Sequence, residues 1–98
     1  MTHNIQPGVI LVQVCGEHLL VATREARGKC PYVKQLNATG AYFWTLLAQN
    51  MTLAEMTQAA AQRYGAPPER IRPGLEKFLA DLEKSGYLRP AEPAQGNN

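Results

Sequence analysis

The side chains that could form a catalytic centre in this sequence are few and scattered. The inventory is one serine, Ser85, one aspartate, Asp81, two histidines, His3 and His18, and two cysteines, Cys15 and Cys30. Covalent catalysis needs a nucleophile, a base beside it and a group that orients the base. Asp81 and Ser85 are four residues apart and so share a helix face, but at a helix end that spacing gives a surface hydrogen bond. Both histidines lie far from them in the chain. No phosphate-cradling glycine loop and no strand-to-helix nucleophile elbow is present. The cysteines carry no CxxC spacing, and a Cys15, His18, Cys30 ligand set lacks the tight pairing of zinc sites. The chain is therefore expected to bind rather than catalyse, with free thiols and neither metal nor cofactor.

Bulk properties narrow what it binds. At 98 residues the chain suits one domain, with 45% apolar and 18% charged residues, a globular rather than disordered balance. No apolar run approaches the roughly 20 residues of a membrane helix, and the N-terminus lacks the charge and hydropathy order of a signal peptide, so a cytoplasmic location away from membranes is expected. The net charge is only +2, but Arg24, Arg27, Lys29 and Lys34 face a single acid, Glu25, in the same stretch. That local excess favours an acidic partner.

The elements that must position any site are legible from periodicity. "VILVQVC" at 9–15 and "HLLVAT" at 18–23 flank Gly16-Glu17 and read as a β-hairpin. A charged loop with Gly28 and Pro31 follows, then a third strand over 32–36. Past Leu36 the apolar period lengthens, and Phe43, Trp44 and Leu47 share a face of a first helix over 38–49, capped by Asn37. Thr52 and Glu55 have capping-box spacing, with Met51 and Met56 placed as a hydrophobic staple, so a second helix runs from there to about Tyr64 and ends at Gly65. Ile71, Leu75, Phe78, Leu79 and Leu82 form the stripe of a third helix, expected to begin at Glu69 or later so that Pro73 falls in its first turn, and to close at Gly86. Tyr87 and Leu88 then fold back onto the core.

This order predicts an α+β, winged-helix-like domain over residues 9–89, a three-stranded antiparallel sheet followed by three helices. Residues 1–8 are expected to be a flexible lead-in and 90–98 a disordered tail. A winged-helix DNA-binding regulator is the alternative this order allows. The third helix, however, carries Arg70, Arg72, Lys77 and Lys84 against Glu69, Glu76, Asp81 and Glu83, and a helix without net charge suits a phosphate-lined groove poorly.

One likeness goes further than composition. Leu36-Asn37, Thr39-Gly40, Phe43-Trp44 and Leu46-Leu47, followed after the second helix by Phe78-Leu79, Leu82 and Gly86-Tyr87-Leu88, resemble the pattern of the PqqD family, small proteins also called RiPP recognition elements. The likeness spans roughly residues 9–88. It departs at Gly74-Leu75, where many members carry Asp-Val, and at Tyr87, where members from pyrroloquinoline quinone synthesis tend to carry Trp; the family fits better than that one pathway.

The resemblance implies a non-catalytic function: holding the leader of a ribosomally made precursor peptide and presenting the peptide to a modifying enzyme, often a radical SAM protein. It also implies that the leader adds as a strand to the third strand and lies against the third helix. An edge strand with unpaired backbone groups is a template for such addition. Here the strand side would be Tyr32, Val33, Lys34, Gln35 and Leu36, with pairing stopped at Pro31. On the helix, Arg70, Gly74, Lys77, Phe78 and Asp81 lie on one flank of the stripe and Arg72, Glu76 and Glu83 on the other. The first flank is the expected peptide side, since a glycine permits close approach and two bases suit an acidic leader. The same free edge could pair two copies of the chain into a homodimer.

Overall fold

The computed structural model describes residues 4–89. Along the chain it contains β1 (Asn4–Ile5), β2 (Val9–Val14), β3 (Glu17–Ala22), a short 3-10 turn (Arg24–Ala26), β4 (Val33–Leu36), α1 (Ala38–Ala48), α2 (Leu53–Tyr64), α3 (Pro68–Ser85) and β5 (Leu88–Arg89). β2, β3 and β4 form an antiparallel sheet in that order, followed by three helices, as the sequence predicts. The hairpin turn is Cys15-Gly16, one residue earlier than expected. Both residues have positive φ, 50° and 79°, matching a primed two-residue turn whose twist suits the strands it joins.

Two sequence expectations are corrected here. Residues 4–8, expected to be a flexible lead-in, belong to the fold: β1 pairs with β5 through Asn4 with Arg89 and Ile5 with Leu88. The Gln6 N–H donates to the Tyr87 carbonyl at 2.9 Å, and Gln6 is buried. Two-residue strands are too short to show a period of two, so the sequence gives no sign of them. The other correction is the start of α3. It begins at Pro68, a residue whose missing N–H costs nothing in a first turn, and Pro73 therefore sits in the second turn rather than the first. Pro73 leaves the Glu69 carbonyl without an intrahelical donor, a loss the helix tolerates because both residues are exposed and water can reach that carbonyl. Met1–His3 and the expected disordered tail at 90–98 lie outside the described residues.

The helix caps act as their sequence suggests. Asn37 Oδ1 accepts from the Gly40 N–H at 2.7 Å, and Thr52 and Glu55 complete a reciprocal capping box. Gly65 and Gly86 close α2 and α3 with φ of 63° and 92°. The core lies between the inner sheet face and the helices. Leu20, Ala22 and Leu36 meet Phe43, Trp44, Leu47, Met56, Leu75, Leu79 and Leu82 there, and Tyr87 joins them fully buried. Phe43, Trp44 and Leu47 are thus core residues. No described helix is long and apolar enough to cross a membrane.

Candidate functional site

β4 is an edge strand, and pairing decides what its edge offers. Its partners on β3 are His18 for Leu36, Leu19 for Gln35, Leu20 for Lys34 and Val21 for Val33. The Ala22 N–H donates to the Tyr32 carbonyl at 2.8 Å, which makes Ala22 and Tyr32 a hydrogen-bonded pair. In an antiparallel ladder such pairs alternate with non-bonded ones, so Lys34 and Leu36 also spend their backbone groups on β3. Val33 and Gln35 therefore direct their N–H and C=O away from the sheet. Among the described residues no strand pairs with that side. Pro31, exposed just before the strand, ends the run of donors.

Side chains alternate with the same parity. Tyr32, Lys34 and Leu36 stand on the face turned toward the helices, across from the core residues Ala22 and Leu20 and from His18. Leu36 is buried, Lys34 half-buried and Tyr32 exposed. Val33 and Gln35 point to the opposite face, where Gln35 Nε2 donates to the Glu17 carboxylate. The guanidinium of Arg27 lies 5.7 Å from the centre of the Tyr32 ring, and a cavity of about 340 Å³ opens there between Ala22, Arg27, Gly28, Cys30 and Tyr32.

The helix wall is joined to this edge through α1. Phe78 on α3 packs edge-on against Phe43, ring centres 5.5 Å apart. Gly40 lies between the two walls: a Cβ there would come within 3.1 Å of Phe78 Cε1 and 3.6 Å of Leu36 Cβ. The flank of α3 carrying Phe78 is thus the one nearest the end of β4. The opposite flank faces α2: Glu76 and Glu83 line a hollow with Leu53, and Arg72 lines another with Ala54 and Thr57. Arg72 and Glu76 are also paired to each other, at 3.1 Å. Arg70, Gly74, Lys77 and Asp81 are exposed on α3, and Phe78 is half-buried. Angle along the helix is enough to group these five; the role of Gly40, by contrast, lies in the approach of two distant elements that its place in the motif does not show.

The start of β4 is pinned from below. Tyr87, fully buried, donates its hydroxyl to the Pro31 carbonyl at 2.8 Å, and the Lys29 carbonyl packs where a Cβ on Gly86 would stand. Burial pushes the Tyr87 phenol above the usual tyrosine range, with a smaller upward contribution from Cys30. Burial likewise raises the Cys30 thiol, which makes it a poor nucleophile. Cys15 is exposed at the hairpin tip, beside the His18 end of the sheet, whereas Cys30 lies at the opposite end. Among the described residues no group of three or more His, Cys, Asp and Glu could hold a metal.

Fold and edge together define a winged-helix-like α+β module with a free strand beside its last helix. The family described as Coenzyme PQQ synthesis protein D (PqqD) matches residues 21–88. The chain belongs to that family. No curated protein gives a significant match. Two solved structures share the fold. One, "TbiB1 in Complex with the TbiA(beta) Leader Peptide", is 20% identical with a TM-score of 0.74, covering 90% of this chain and 96% of that one. The other, "Lasso peptide synthetase B1 complexed with the leader peptide", is 18% identical with a TM-score of 0.74, covering 92% of this chain and 100% of that one.

Proposed function

We propose that this chain is a non-catalytic recognition domain that binds the leader of a ribosomally made precursor peptide as an added strand on β4 and presents the peptide to a modifying enzyme, a radical SAM protein. The observation that carries this reading is the outward backbone of Val33 and Gln35 on an edge with no described neighbour. Family membership supports it, and so do the two fold neighbours, each solved with a leader peptide.

The parity of β4 divides the work. Val33 and Gln35 supply main-chain bonds, while Tyr32, Lys34 and Leu36 supply the cleft floor on the helix side. Arg70, Gly74, Lys77, Phe78 and Asp81 form the facing wall. Lys34 and Lys77 favour carboxylates in the leader, and the cavity beside Tyr32 takes one of its larger side chains. Pairing of two copies through the same edge would compete with the peptide.

The test is a calorimetric titration of the full chain with the leader of any short peptide encoded beside its gene, with unrelated duplex DNA as control. Saturable micromolar or tighter peptide binding and no DNA binding are expected. Salt-sensitive DNA binding without peptide binding would establish the regulator reading instead.

A further inference from the structure

The same alternation that buries one face of the sheet leaves the other apolar and uncovered. Pairing places Ile10, Val21 and Val33 in one row across the outer face, Val12 and Leu19 in the next, and Val14 at the hairpin end. Ile10, Val14 and Val33 are 47%, 51% and 45% exposed. None of these six side chains packs against the core cluster. A solvated face of an antiparallel sheet is normally polar, so six aliphatic side chains here need another reason.

We propose that this outer face docks the enzyme that acts on the bound peptide. The inference rests on the function proposed above and assigns a surface to its second partner. Size argues against a second copy of this chain. Three strands about 4.8 Å apart and five residues at about 3.4 Å each give a footprint of roughly 250 Å². Two copies face to face would bury roughly 500 Å², well under the roughly 1,000 Å² of a stable association. A leader strand added at β4 continues this face and widens it by about a third, so the surface is complete only when the peptide is present. A partner that must engage the peptide also gains its remaining contact area from the peptide itself. Arg24, Arg27 and Lys29 are exposed against the single acid Glu25 in the loop that leaves β3 at the Ile10 end of the sheet, with Arg27 turned toward Tyr32 on the helix side, so this end of the domain is positively charged. The docking face that fits is apolar at its centre and acidic toward that loop.

The experiment uses the full chain with Ile10→Lys and Val14→Lys, two exposed positions on β2, the strand farthest from the peptide edge. Leader affinity is measured by calorimetry. Capture of the modification enzyme encoded in the same gene cluster is measured by biolayer interferometry with the leader present, and assembly by sedimentation equilibrium. The expected result is native circular dichroism, leader affinity within about twofold of wild type, and enzyme capture weakened by about tenfold or more, as the introduction of two charges into an apolar docking face produces. Unchanged enzyme capture overturns the proposal. So does a wild-type dimer that the variants convert to monomer, which would make a second copy the occupant. Failure of the wild-type chain to bind the leader overturns the peptide-recognition reading itself, and this inference with it.

Discussion

Replacing Val33 with proline removes an N–H that the folded chain does not use and the bound peptide does. Val33 is paired with Val21 in a non-bonded position, so its donor points off the edge of the sheet. One ladder bond contributes about 0.5–1.5 kcal/mol net, and the proline ring also crowds an incoming strand. A loss of about 1–2 kcal/mol in peptide binding corresponds to roughly a 5- to 30-fold weaker Kd. Thermal stability should fall by less than about 1 kcal/mol, because edge strands tolerate proline when the lost donor faces solvent. Lys34→Pro is the contrasting variant. Its N–H is spent on β3, so it should cost about 1–3 kcal/mol of stability. Val33→Ala controls for the side chain. The assays are calorimetric titration with the leader and thermal unfolding of each variant. Wild-type affinity in Val33→Pro, or equal destabilisation by the Val33 and Lys34 prolines, would refute the parity on which the binding edge rests.

Four further outcomes follow from the same geometry. Gly86→Ala adds a Cβ into the Lys29 carbonyl at a φ of 92°, and should destabilise the fold by about 2–4 kcal/mol in denaturant unfolding. Tyr87→Phe leaves the Pro31 carbonyl without its donor and should cost about 1–2 kcal/mol. The raised phenol and thiol also set a pH dependence. Both groups are held neutral in the fold and ionise more readily when unfolded, so the stability they contribute is intact below their unfolded values and is lost as pH rises through about 9–10 and beyond. Unfolding midpoints across that range should fall for wild type and fall less steeply for Tyr87→Phe. Lys34→Glu and Lys77→Glu should each weaken binding of an acidic leader by roughly three- to tenfold, more at low salt than at high; tighter binding on reversal would show the electrostatic reading to be wrong.

The parts of this fold that the sequence displays are those set by local rules. Asn37, the Thr52 and Glu55 pair, and Gly65 and Gly86 each satisfy helix-end groups within a few residues, so their roles can be read in place. The stripe of Leu75, Leu79 and Leu82 is legible because one helix face meets one core. Features that depend on distant partners are not. β1 and β5 are each two residues long and are defined by their pairing with each other, across almost the whole described chain, next to the bond from Gln6 to Tyr87. Pro73 suggested a later helix start, because the rule against internal proline gives way where water can replace the lost bond. The edge itself was located, but not its parity, since which residues of β4 face outward is decided by their register with β3. Gly40 was visible in the sequence motif, whereas the close approach of Phe78 and Leu36 around it appears only in three dimensions.

Strand addition on β4 is tested most directly by residue-resolved amide hydrogen exchange with and without saturating leader peptide. Val33 and Gln35 amides should exchange fast in the free chain and slow by an order of magnitude or more when the peptide binds, while the Lys34 amide, already bonded to β3, is protected in both states. Saturable binding that leaves the Val33 and Gln35 amides fast, or that protects the free edge of β2 instead, would contradict the account.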